Sequence, residues 1–135
     1  MGSVDINYLA VLVCGVVSMV TGFLWYGPIF GKAWMEEVGK TEEELMENFN
    51  PGKTYTLSFI AAIITAVTLA YLLSLTGAQS IMDALRVSIT AWLGFVAAIF
   101  YLNSLFEDKS LRHVAINTGY HLVNLVVYGI ILVMW

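Results

Sequence analysis

The sequence predicts an all-α integral membrane protein: a bundle of four transmembrane helices with a short amphipathic helical segment between the first and the second. Three observations predict it. Hydrophobic residues make up 59% of the chain and charged residues 12%, where a soluble domain has about 45–50% and about 25%. Four stretches reach the roughly 20 predominantly apolar residues that cross the hydrocarbon of a bilayer. Six of the ten carboxylates fall within residues 36–47, between the first of these stretches and the second.

The spans cover residues 6–28, 54–76, 81–105 and 112–135 and form one domain. Backbone polar groups in lipid must be satisfied within the segment itself, so the spans are helices. The second and third are joined only by Gly77, Ala78, Gln79 and Ser80, which predicts a tight antiparallel hairpin. A short loop over residues 106–111 joins the third to the fourth. Residues 29–53 make the one long connection. In it, "GKAWMEEVG" is amphipathic and sets Trp34 and Met35 against lipid or protein. Next, Thr41 with Glu44 three residues on has the spacing of a capping box, so a short helix starts there. Asn50, Pro51 and Gly52 end it.

Basic residues near the span ends set the orientation. Lys32, Lys40, Lys53, Lys109 and Arg112 share one end of the bundle, and Arg86 and the N-terminal amine lie at the other. The long loop and the 106–111 loop are therefore expected in the cytoplasm, with both termini outside the cell membrane. A nucleic-acid partner needs a basic patch, and six scattered Lys and Arg residues form none. Cys14 is the only cysteine, so it forms no intrachain disulfide and reads as a small packing residue. The first apolar run is too long for a signal core and has no basic flank before it, so it reads as a span rather than a signal peptide.

The fourth span carries the most informative polar residues. Asn117, His121, Asn124 and Tyr128 recur at helical spacing on one face, with Tyr120 beside them. A polar stripe in a transmembrane helix faces the protein interior or a water-filled cavity. Asn103, near the end of the third span, is expected to meet Asn117 in a carboxamide cluster. His113 and His121 are eight residues apart, about 12 Å along a helix, and cannot hold one metal ion between them. No metal ligands are assigned, and a haem or metal at His121 would need that residue repeated around an oligomer axis. Asp83 and Arg86 are three apart in the third span and can pair at its outer end.

Gly15, Ser18 and Gly22 in the first span, with Thr21 beside them, are small enough to let another helix approach closely. Ser58, Ala61, Ala62, Thr65 and Thr68 form a similar side of the second, so these two are expected to make the tightest contact. The stretch "WYGPIFGKAW" places Trp25 and Tyr26 at the headgroup boundary. Gly27 and Pro28 then stop or kink the helix. The turn with Trp34 reads as an aromatic anchor, or as a wall over the mouth of a cavity.

Three features, in order along nearly the whole chain, resemble the family of small prokaryotic membrane proteins called domain of unknown function 1761. They are an early "INYLAVLV", the aromatic, Gly/Pro and Phe-Gly-Lys turn from Trp25 to Met35, and the late "NTGYHLVNLVVYGIILVMW" with His121. The resemblance implies a four-helix multi-pass membrane protein. It implies no activity, substrate or cofactor, so no catalytic residue carries over.

Three functions fit the residues. The first is a small transport or channel-type protein for an ion, proton or small solute, its path lined by Asn103, Asn117, His121 and Asn124. The second is a structural or interaction protein whose stripe serves packing and whose acidic loop is the partner-facing surface. The third is a membrane enzyme or cofactor binder using His121, its cofactor unspecified. The bilayer is the expected partner, and a homo-oligomer is expected because four short helices bury little surface alone.

Overall fold

The computed structural model describes residues 5–135; the N-terminal amine, counted above with the outer end, lies outside them. Six helices follow one another among the described residues: α1 (Tyr8–Ile29), α2 (Gly31–Val38), α3 (Glu42–Met46), α4 (Pro51–Leu75), α5 (Ile81–Glu107) and α6 (Leu111–Met134). The four long ones are long and apolar enough to cross a membrane. The helix pair α2 and α3 forms the excursion between the first two spans.

Each of the four long helices starts with a capping side chain that takes an orphan N–H of the first turn. Asn7 accepts from the N–H of Ala10, Asn50 from Lys53, Ser80 from Asp83 and Ser110 from His113, at 3.1–3.2 Å. Thr41 accepts from the N–H of Glu44 at 3.2 Å, so the short acidic helix begins at the expected cap. The turns between helices use left-handed backbone at Gly39 and Gly77, and at Asp108 without a glycine.

Two of the spans widen into a π-helical turn, at Trp25–Ile29 in α1 and at Leu93–Ala97 in α5. In the first, Phe30 N–H reaches back to Trp25 C=O at 2.8 Å, one residue further than an α-helix reaches. Pro28 lies inside this turn, so of the two expected outcomes, a stop or a kink, the helix departs from α geometry across Gly27 and Pro28 and ends just after them at Ile29. The missing proline N–H is absorbed by the wider ring. Gly31 lets α2 begin at once, because a Cβ there would come within 2.5 Å of the Tyr26 carbonyl oxygen.

The hub of the bundle is α6. It packs along α5 and α1 and also touches α4, while α1 lies along α4. The expected tight hairpin between the second and third spans is absent: α4 and α5 share a short turn but little packing. Their buried faces look elsewhere. On α4, Ala62, Ala66, Leu69, Ala70 and Leu73 are buried, and on α5 Ala84 and Ser88. Ser58, Ala61, Thr65 and Thr68 are exposed, so only Ala62 of the expected contact side is buried. The threonines need no partner helix, since each hydroxyl donates to the carbonyl four residues earlier, Thr65 to Ala61 and Thr68 to Ile64. Asp83 also departs from expectation: its carboxylate accepts from the N–H of Gln79 at 3.1 Å, and it forms no ion pair with Arg86 among the described residues.

The core gathers Val11 and Cys14 of α1, Ala66, Leu69 and Leu73 of α4, Ala84 of α5, and Leu125 and Tyr128 of α6. Gly129 lets α5 pack close on α6, where an added Cβ would collide with Ser88 Oγ and press on Ala84. Gly129→Val should therefore lower the thermal unfolding temperature in detergent, at an overpacking cost of about 1–3 kcal/mol. Gly94→Ala, whose Cβ would meet nothing within 4 Å, should not lower it.

Candidate functional site

The polar residues of α6 meet α1 on one side and α5 on the other. Toward α1, the hydroxyls of Tyr120 and Ser18 are 3.2 Å apart, and Tyr120 also donates to the Ser18 carbonyl at 3.0 Å. Thr21 donates to Asn124 Oδ1 at 2.5 Å. Trp25 Nε1 donates to the Ile116 carbonyl at 2.8 Å, and Tyr26 donates to Asn117 Oδ1 at 2.7 Å. Toward α5, Ser88 donates to the Leu125 carbonyl at 2.9 Å and Trp92 Nε1 to the Thr118 carbonyl at 2.7 Å. Two indoles from opposite helices thus grip carbonyls two residues apart on α6.

Glycines make room for this grip. A Cβ on Gly119 would come within 2.9 Å of the Trp25 ring, and one on Gly22 within 3.1 Å of the Tyr120 hydroxyl. Gly15 faces α4 instead, where a Cβ would meet Phe59 at 2.7 Å and Ile63 at 2.8 Å. The small residues of α1 therefore serve two neighbours, Gly15 toward α4 and Ser18 and Gly22 toward α6.

The stripe itself is not uniform. Asn124 and Tyr128 are buried, while Asn117, Tyr120 and His121 are half-buried. The imidazole of His121 sits among rings, 5.5 Å from Phe100 and 5.2 Å from Tyr120. Asn103 does not join Asn117 directly, because the Asn117 amide is engaged by Tyr26 and by His113 Nε2, the latter at 3.2 Å. Asn103 and Asn117 do line one cavity of about 160 Å³ at the loop end of α5 and α6, with Phe100, Ser104, Glu107, Lys109, His113 and Val114. His113 Nδ1 is buried and has no partner among the described residues.

Around this end the aromatic turn forms a cluster rather than a lone anchor. Tyr26 stacks edge-on against Trp34 at 5.5 Å and against Tyr120 at 5.3 Å, and Trp25 tilts over Phe30 at 4.6 Å. Gly27 and Pro28 are exposed at its margin. The excursion is tied down by polar contacts: Ser110 donates to Glu37 at 2.5 Å, and Arg112 pairs with Glu36 at 3.3 Å and Glu37 at 3.5 Å. Exposed pairs of this kind are worth little singly, but they fix α2 against the start of α6.

Several of these residues carried no signal in the sequence. Trp92 and Ser88 sit in an apolar helix with no pattern around them, and Gly119 and Gly129 show no small-residue spacing with one another. The Glu36, Glu37 and Arg112 contact joins residues more than 70 apart. A double-mutant cycle on Thr21→Val and Asn124→Leu should yield a coupling of about 0.6–1.7 kcal/mol, the range for interhelical hydrogen bonds in membranes. Additive effects on the unfolding temperature would show that the bond contributes nothing.

No curated protein and no solved structure matches the chain. A family model described as "Protein of unknown function (DUF1761)" matches residues 9–133, nearly the full length, and the chain belongs to that family.

Proposed function

We propose that the protein is a membrane-embedded structural or interaction protein, and that the polar stripe of α6 serves packing. The observation that carries this reading is the engagement of the stripe with α1: Asn117, Tyr120 and Asn124 each hydrogen-bond a side chain or carbonyl of that helix. A lined path needs polar groups free to solvate what passes. Here they are spent on neighbours, and the middle of the bundle is filled by Cys14, Leu69, Ser88 and Tyr128.

The partner-facing surface in this reading is α5. Only 6% of its membrane-crossing window is buried, against 33% in α6. Leu93 and Phe95 protrude from its π-helical turn, 61% and 72% exposed. A second copy of the chain on this face would account for the homo-oligomer expected of so small a bundle. The loop ends carrying Lys32, Lys40, Lys53, Lys109 and Arg112 would then face the cytoplasm, and both termini the outside.

A second reading, a proton or ion path, rests on His121, the one titratable member of the stripe whose contacts are with rings. Reconstituted liposomes separate the two. The packing reading expects proton and potassium flux equal to that of empty liposomes. Flux that His121→Ala abolishes would overturn it. Phe95→Cys tests the partner face, because Cys14 is fully buried and leaves the new thiol as the reactive one. Oxidation should convert this variant to a disulfide-linked dimer, and persistent monomer would remove α5 as the contact.

A further inference from the structure

The loop end of α5 and α6 carries two opposite charges that form no ion pair among the described residues. Glu107 and Lys109 both line the cavity of about 160 Å³ described above. The ion pairs formed among the described residues are those of Arg112 with Glu36 and Glu37, and neither Glu107 nor Lys109 takes part. The volume is about five times the roughly 30 Å³ that a water molecule occupies in the liquid. The walls add hydrogen-bonding capacity. Asn103 offers its amide. Tyr26 donates to Asn117 Oδ1, and Asn117 Nδ2 lies 3.2 Å from His113 Nε2. The other ring nitrogen, Nδ1, is buried with no partner among the described residues. A small turn of the ring would offer it to a ligand.

The depth of the cavity indicates its occupant. The 27 residues of α5 extend about 40 Å, longer than the roughly 30 Å hydrocarbon core. The excess leaves its charged ends, Asp83 and Arg86 at one and Glu107 at the other, for the headgroup layers. The apolar side chains that bracket the cavity in sequence are open to acyl chains, with Leu105 62%, Phe106 85% and Leu111 70% exposed. A ligand here needs a negative group for Lys109, Asn103 and His113, a positive N–H donor for Glu107, and an apolar body alongside.

We propose that this cavity binds the phosphate–ammonium headgroup of an aminophospholipid, with Lys109 and Asn103 toward the phosphate and Glu107 toward the ammonium. A quaternary choline has no N–H to give Glu107, and a glycerol headgroup has no cation. The site should therefore prefer phosphatidylethanolamine to phosphatidylcholine and to phosphatidylglycerol. This goes beyond the packing role of the α6 stripe and does not rest on it.

The test is native mass spectrometry of the full chain in detergent supplemented with equal amounts of the three lipids, with soluble phosphorylethanolamine in a separate arm. Phosphatidylethanolamine adducts should exceed the others about fivefold, a modest share of binding free energy. Glu107→Gln should erase the preference over phosphatidylcholine, and Lys109→Gln should lower adducts of all three lipids. Both side chains are exposed, so neither variant disturbs the packed core. Equal occupancy of the three lipids on the unmodified chain would overturn the proposal, as would variants that bind like it. Retention of phosphorylethanolamine without the lipid would overturn the assignment to a membrane lipid.

Discussion

In hydrocarbon there is no water to take up a stray hydrogen bond, and the membrane-crossing window of the fourth long helix is the least apolar of the four. That constraint organises the bundle. Asn117, Tyr120 and Asn124 of α6 take their partners from α1, and the Thr118 and Leu125 carbonyls take theirs from α5, so the two helices are drawn against it from two sides. The two indole N–H groups extend the same logic to the main chain. Trp25 and Trp92 give second hydrogen bonds to carbonyls already within a helix. An indole in lipid needs an acceptor for its N–H while its ring stays apolar, and a helix carbonyl beside a glycine supplies both.

The remaining contacts follow from this hub. With α6 between α1 and α5, helix α4 is left to pack chiefly on α1, through its alanines and the gap at Gly15. A turn of a few residues brings α4 and α5 together only at one end, and does not decide which faces meet. At the loop end, the π-helical turn carries the chain past Pro28 and delivers α2 onto the start of α6, where Ser110 and Arg112 hold Glu36 and Glu37. The aromatic cluster of Trp25, Tyr26, Trp34 and Tyr120 fills the space between these elements. It leaves the cavity by His113 as the space where polar groups lack partners.

The positions of the spans were legible from the sequence because membrane thickness and hydropathy determine them nearly alone. Helix starts were legible at Thr41, where a hydroxyl and a glutamate stand at capping distance. Pairing was not legible. Thr65 and Thr68 looked like a contact side by size, yet their hydroxyls are satisfied within their own helix, so small polar residues do not by themselves mark an interface. Gly27 and Pro28 marked a stop or a kink, but not the π-helical turn that accommodates the proline. The grips of Trp25 and Trp92 depend on residues 91 and 26 positions away along the chain, a relation that no local pattern encodes.

The central claim is that two indole-to-carbonyl bonds clamp α6. The most direct measurement is thermal unfolding in detergent of Trp25→Phe, Trp92→Phe and the double variant, with Trp135→Phe, at a 58% exposed position, as the reference. Phenylalanine keeps an aromatic ring and removes the N–H together with one ring of the indole, a loss of ring that the Trp135→Phe reference shares. Each single variant should unfold at a lower temperature than the reference, and the double variant lower still, because the bonds lie on opposite sides of the helix. Unfolding of all three at the temperature of the Trp135→Phe variant would contradict the clamp.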